Sequence, residues 1–257
     1  MLSSANIKLI NSLALKKYRD RHKLFIIEGD KLVNEFLASK RTVKLLLARS
    51  EWIDKTDDRL LSAAGEIITV SENELRKVSG LKTAHNTLAL IGIEDTVPDL
   101  SSLSGKLSIA LDNIRDPGNM GTIIRIAAWF GIENIICSSG TVDVYNPKTI
   151  QASMGALIHV NISYADLPGF IRSLSESGTP VYATALDGEP VYNISLPEGG
   201  LLLFGNESRG LSEEVMSFAT KKITIPPHNK PLPGIDSLNV AMTAAIICSE
   251  FRRNSSG

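Results

Sequence analysis

An α/β fold with a parallel sheet and flanking helices, preceded by a small α/β domain, is predicted by three observations. From residue 106 onward, short apolar runs alternate with segments of helical period. Upstream, a shorter mixture of both ends where periodicity fails at Glu94–Gly105 (EDTVPDLSSLSG) and Pro, Ser and Gly accumulate. At the junctions between runs and helices stand Gly, Asn and Pro turns with polar neighbours, where α/β proteins hold ligands.

The elements follow in order. Lys8–Arg21 has helical character, and Lys23–Glu28 (KLFIIE) reads as a strand before a helix near Lys31–Ala38. A strand at Val43–Ala48, an apolar run at Glu66–Val70, a helix from Ser71 with Glu74 completing a capping box, and a strand at Thr87–Ile93 finish a domain over residues 1–97. Residues 98–105 are the predicted linker. Over 106–257 the expected strands are Leu107–Leu111, Asn134–Cys137, Ile158–Ile162, Val181–Ala185, Gly200–Phe204 and Ile223–Ile225. Helices are expected at Asn119–Phe130, Pro147–Met154, Leu167–Ser175 and from Ser237 onward, which makes the sheet parallel.

A chain of 257 residues, 43% hydrophobic, is long enough for one large domain or two ordinary ones, each with its own core. No charged segment leads into an apolar stretch and cleavage site, and no apolar run reaches membrane-spanning length, so a soluble, cytoplasmic protein without a membrane partner is expected. Cys137 and Cys248 offer neither a disulfide framework nor metal-ligand spacing, and no metal is predicted. The net charge of −1 hides an asymmetry: residues 1–49 carry 11 Lys plus Arg against 4 Asp plus Glu, and the remainder 16 against 24. A basic N-terminal region suits phosphate, and equally suits a solvated helix face.

The usual nucleotide fingerprints fail. No strand is followed by G-x-G-x-x-G, and Gly205–Ser212 (GNESRGLS) has Walker A glycine spacing with Leu211 where the phosphate-binding Lys belongs. Three other stretches combine turns with polar residues. In the first, Asp116-Pro117-Gly118-Asn119 is a turn with Asn119 placed to cap a helix, whose buried stripe is Ile123, Ile126, Ala127 and Phe130. Arg125 lies on a neighbouring stripe beside Trp129, as a surface cation or as one leaning on the indole. In the second, strand Leu201–Phe204 ends in Gly205-Asn206-Glu207, with Gly210 suited to positive φ and Ser212 to a cap. In the third, prolines at 226, 227, 231 and 233 follow a strand, and a helix begins at Asp236-Ser237-Leu238-Asn239. Capping accounts for Asp236 or Ser237 better than for Asn239. That last helix is apolar nearly all round, so it needs burial on several sides, within the chain or against a partner subunit.

In order and content these three stretches resemble the motifs of the SpoU/TrmH group of RNA 2′-O-ribose methyltransferases, in the SPOUT superfamily. Asn119, Gly121 and Arg125 match the first motif, Gly205-Asn206-Glu207 the second, and Ser237-Leu238-Asn239-Val240 the third. Tyr145–Lys148 and Ala152–Ala156 look like the ribosomal-RNA members, and Glu28-Gly29 like their small substrate-binding domain. The resemblance implies a deep C-terminal trefoil knot, a homodimer, S-adenosylmethionine as cofactor and RNA, foremost rRNA, as substrate. It further implies catalytic roles for Asn119, Arg125, Glu207, Ser237 and Asn239, and cofactor contacts from Thr184, Gly205, Asn206, Ile225 and Leu238. A tRNA substrate, and a non-catalytic RNA-binding or ribosome-assembly factor keeping this fold, are the alternatives. Among the scattered histidines only His228 falls near a motif.

Overall fold

The computed structural model describes residues 1–94, 96–228 and 236–253, and they form two compact units. The first unit comprises Met1–Glu94 together with Asp143–Ile158, and the second comprises Asp95–Val142 and His159–Gly257.

In the first unit the chain runs through α1 (Ser4–Ser12), α2 (Lys16–His22), β1 (Leu24–Glu28), α3 (Asp30–Leu37), β2 (Val43–Ala48), α4 (Ser50–Ile53), α5 (Asp58–Leu61), β3 (Ile67–Thr69), α6 (Glu72–Arg76) and β4 (Thr87–Gly92). The sheet order is β1-β4-β2-β3, antiparallel except for the β2–β3 pair. Ile10 and Leu13 pack with Leu45, Leu47, Leu88 and Leu90 on one side of the sheet. The capping box at α6 forms as expected: Ser71 Oγ accepts from the Glu74 amide while the Glu74 carboxylate accepts from the Ser71 amide. The Leu2 amide donates to the same carboxylate at 2.7 Å, and these backbone donors push the Glu74 pKa down to about 2.

The second unit contains α7 (Leu100–Leu103), β5 (Leu107–Asp112), α8 (Pro117–Trp129) and β6 (Asn134–Ser138). The chain then passes through α9 (Pro147–Ser153) in the first unit and returns as β7 (Asn161–Ala165), α10 (Leu167–Glu176), β8 (Val181–Pro190), β9 (Gly200–Gly205), α11 (Glu213–Met216), β10 (Lys221–Thr224) and α12 (Val240–Arg253). Its sheet is wholly parallel in the order β10-β8-β9-β5-β6-β7. The central strands β5 and β9 are buried along almost their whole length, which is why they read as continuous apolar runs. α12 packs on α8, and Phe251 meets Tyr182 edge-on with ring centroids 5.1 Å apart.

Several expectations are corrected. Residues 98–105 are not free linker, because α7 lies inside them and its Leu103 is buried in the second core. The region 106–257 is interrupted, because Asp143–Ile158 packs with the first unit. Two contacts explain this placement: Tyr145 stacks on Phe25 with centroids 4.6 Å apart, and Arg19 Nε donates to Asp143 Oδ2 at 3.0 Å. Arg19 also donates to the carbonyls of Leu13 and Ala14 and is 3% exposed, so this member of the basic N-terminal region is committed to structure. The strand expected at Ile158–Ile162 begins at Asn161, after a 3-10 turn at Ala156–His159.

Register irregularity shapes the C-terminal edge. β10 pairs Lys221 with Tyr182 and Lys222 with Ala183, then Ile223 with Glu189 and Thr224 with Pro190, so residues 184–188 stand out of the ladder. Gly188 closes this bulge: a Cβ there would lie 2.5–2.8 Å from the Ile223 backbone. Only a residue without a side chain permits that approach.

Candidate active site

All strands of the second sheet run the same way, so the ends of β5, β8, β9 and β10 share one edge, and the three motifs converge there. Helix α8 is capped by Asp116, whose side chain accepts from the Asn119 amide at 2.8 Å. Asn119 is therefore not the cap expected from the sequence. It sits in the first turn with its side chain free, and Asn119 Nδ2 donates to Glu207 Oε1 at 2.7 Å.

The third motif corrects a second capping assignment. α12 starts at Val240, three residues later than expected, and Asn239 Oδ1 accepts from the amides of Ala241 and Met242 at 2.9 and 3.3 Å. Asn239 is the cap. Its Nδ2 meanwhile donates to Asn119 Oδ1 at 3.0 Å. A continuous hydrogen-bonded chain thus runs from α12 through Asn239 and Asn119 to Glu207. Glu207 reaches Asn239 through Asn119, and no contact with Arg125 accompanies it among the described residues.

Asn206 organises the second motif. Its Nδ2 donates to the Asn113 carbonyl at 2.9 Å and its Oδ1 accepts from the amides of Ser208 and Arg209. Its backbone exchanges both hydrogen bonds with Gly210, which adopts φ +70° as the turn requires. Every polar group of Asn206 is thereby engaged in the loop. A Cβ on Gly205 would overlap the Gly210–Leu211 backbone, so glycine is what lets the loop fold back on its strand. Ser212 stands at the start of α11 without a side-chain cap bond, and its amide donates to Asp112 Oδ2 at 2.9 Å.

Arg125 is exposed on α8, and its side chain makes no hydrogen bond or ion pair among the described residues. Trp129 is 86% exposed and bears no cation on its face among those residues. The buried stripe of α8 is Met120, Ile123, Ile124 and Ala127, one position rotated from the expected one, which leaves Ile126 and Phe130 only half-buried. Ser237 and Leu238 are exposed, and Ile225 is half-buried just past β10. Thr184 donates its hydroxyl to the Leu203 carbonyl at 2.9 Å. Prolines 231 and 233 lie outside the described residues, and His228 is exposed.

Sequence reasoning overlooked Asp112 and Asn113. Asp112 is 3% exposed, with Ser212 N on one oxygen and Asn113 Nδ2 on the other at 2.8 Å, and Asn113 holds φ +55°. An acidic residue ending an otherwise apolar strand was the available signal. Both cysteines are buried and free, and burial raises both thiols, Cys248 to about 12. Neither is a nucleophile at neutral pH. Among the described residues no acidic, His and Cys cluster could hold a metal ion, and no helix is long and apolar enough to cross a membrane.

A parallel sheet whose strand ends gather the side-chain amides of Asn113, Asn119, Asn206 and Asn239 and the carboxylates of Asp112 and Glu207 has the layout of an α/β ligand-binding domain. The chain belongs to the SpoU rRNA methylase family, whose model matches residues 106–249, and residues 4–89 match the model of an MRM3-like substrate binding domain. A Bacillus subtilis 23S rRNA (guanosine(2553)-2′-O)-methyltransferase is 30% identical over 96% of this chain and 95% of its own length. A Porphyromonas gingivalis protein assigned to the TrmH family superposes with a TM-score of 0.88 at 35% identity, covering 98% of this chain and 99% of that one. An AdoMet-bound rRNA methyltransferase from Sinorhizobium meliloti superposes with a TM-score of 0.87 at 30% identity, over 100% of this chain and 98% of that one.

Proposed function

We infer that this protein is an S-adenosylmethionine-dependent RNA methyltransferase that methylates a ribose 2′-hydroxyl in ribosomal RNA. The observation that carries the reading is the chain from Asn239 through Asn119 to Glu207, which joins the three motifs, with Arg125 exposed further along the same helix as Asn119.

The residues present fit the cofactor. The bulge at residues 184–188 and the start of α12 offer backbone groups, while Leu186 and Leu238, 74% and 50% exposed, supply apolar surface for a purine. With its hydroxyl already engaged, Thr184 contributes through its backbone. Gly205, Ile225 and Leu238 line the same edge, and Asn206 acts by holding the loop in shape. When bound, S-adenosylmethionine supplies an electrophilic methyl group on a sulfonium centre.

The chain's own residues position the ribose and manage its charge. A neutral 2′-hydroxyl is a weak nucleophile, and a cation beside it stabilises the negative charge that develops on the oxygen. Arg125 provides that cation, and its fork of donors suits a phosphate beside the ribose. Asn119 and Asn206 hold the Glu207 carboxylate in place. Ser237, exposed before α12, is left to contact the substrate. Correct placement accounts for much of the barrier reduction in such a displacement.

The first unit, with Lys16, Lys17 and Arg21 exposed on and around α2, serves as the RNA substrate-binding domain, and the second as the catalytic one. Trp129 and Met242, 86% and 57% exposed on the packed pair α8 and α12, favour a homodimer through that face. A knotted C-terminal half is inferred from the family match over residues 106–249. A cytoplasmic setting completes the reading.

Transfer of labelled methyl from S-adenosylmethionine to ribosomal RNA, followed by nuclease mapping, tests the function. A label confined to a 2′-O-methylated nucleotide is expected. Label on a base, on tRNA alone or on no RNA of the source cell overturns it.

A further inference from the structure

Beside the Asn119–Glu207 network lies a cleft of about 220 Å³ between the end of β5 and the loop after β9, lined among others by Asn113, Arg115, Arg209 and Ser212. Among the described residues, two arginines are its only cationic walls. Both are exposed, and neither side chain makes a hydrogen bond or ion pair among the described residues, the Arg209 backbone amide alone being bound, to Asn206 Oδ1. The nearest carboxylate, Asp112, is not their partner: it is 3% exposed and takes the Ser212 amide on one oxygen and Asn113 Nδ2 on the other. Glu207 and Asp116, which flank the cleft in sequence, are bonded to Asn119. The guanidinium groups are thus left facing a small polar hollow whose acidic floor is already satisfied by neutral donors.

We propose that this cleft holds a phosphodiester of the RNA strand adjoining the methylated nucleotide, gripped by Arg115 and Arg209. This proposal rests on the RNA-methyltransferase reading above. The volume is below the roughly 300–1,000 Å³ of clefts that enclose a whole small molecule, and suits one phosphate group better than a nucleoside. Two guanidinium forks match phosphate oxygens in geometry and charge. The contact is tied to the reaction centre through Asn206, whose Nδ2 holds both the Asn113 carbonyl at the cleft and Glu207 Oε2 in the network. A strand seated here is therefore set in register with Glu207, and it is read by its backbone, independently of base identity.

The test compares wild type with the Arg115→Gln/Arg209→Gln double variant and the corresponding double Lys variant. The probe is a fluorescent single-stranded RNA of mixed sequence, titrated over a series of salt concentrations, with S-adenosylmethionine affinity measured separately by calorimetry. The Gln variant is expected to bind RNA about 10- to 100-fold more weakly, as loss of charge-assisted hydrogen bonds implies. Its log–log salt slope should fall by about 0.7, one phosphate contact on a single strand. The Lys variant should keep that slope, and cofactor affinity and melting temperature should match wild type. RNA affinity and slope equal to wild type in the Gln variant overturn the proposal, as does a loss confined to cofactor affinity. Methyl transfer is scored apart: a wild type that binds RNA through this cleft but methylates nothing sinks the methyltransferase reading and leaves the cleft standing.

Discussion

Asn239 donates its side-chain amide to Asn119 Oδ1 at 3.0 Å across 120 residues of sequence, and the direction of that bond is dictated at both ends. The Glu207 carboxylate can only accept, so Asn119 must turn its NH₂ toward it and its oxygen toward Asn239. The first amides of α12 can only donate, so Asn239 must turn its oxygen toward them. The two side chains are locked head to tail.

Asn239→Asp separates the two tasks of this residue. The carboxylate still caps α12 and is favoured at a helix N-terminus by about 0.3–1 kcal/mol, but it sets oxygen against Asn119 Oδ1. Thermal stability should hold while methyl transfer falls at least about tenfold. Asn239→Ala should in addition lose about 1 kcal/mol in denaturant titration, the usual value of a cap.

Arg125→Ala should change stability by no more than about 0.5 kcal/mol, since the side chain is exposed and unpaired among the described residues. Methyl transfer should fall about 100-fold or more, as when a transition-state charge loses its partner. Lys at this position should restore little, because a point charge does not reproduce the fork. A fully active Arg125→Ala enzyme would falsify its assigned role.

Arg19→Met should destabilise the protein by about 3–5 kcal/mol by leaving Asp143 without its partner, the side chains being 3% and 12% exposed. The Arg19→Met/Asp143→Leu pair should recover most of that loss. Guanidinium denaturation of the single and double variants measures both.

Glu74 gives a pH signature. Its folded pKa, about 2, lies below the ordinary value of 4.5, so its contribution is present above about pH 4.5 and disappears as pH falls toward 2. The stability gap between wild type and Glu74→Gln should be widest near neutrality and close on acidification; a gap that does not narrow between pH 5 and 2 rules this out.

If the inferred homodimer forms through this face, Trp129→Glu converts it to a monomer in sedimentation equilibrium, since the indole is 86% exposed on a helix that packs with α12. Wild type that sediments as a monomer contradicts the interface.

Most of the architecture was legible because β5 and β9 are largely apolar and α3 and α10 keep a helical period. Their neighbours were harder. The short helices α4 and α5 are four residues each, too brief to show a period. The motif residues were legible as a group, yet both capping roles were misassigned. Asp116 and Asn119 are equally good caps by type, and only the start of the helix at Pro117 decides between them. Asn239 looked unsuited to capping because α12 was expected to start earlier. The bonds among Asn119, Asn239 and Glu207 join residues far apart in sequence, and local pattern carries no information about such pairs.

The excursion of Asp143–Ile158 into the first unit alters what counts as a module here. The backbone passes between the units three times, so cutting near residue 95 would not detach the N-terminal part, and a fragment ending at residue 97 would lack the ring that covers Phe25 and the carboxylate that neutralises Arg19. Exchange of the first unit for another must therefore graft two stretches of chain together. Recombination at the apparent linker alone would yield an incomplete hydrophobic core and a stranded charge, a physical brake on shuffling these two halves.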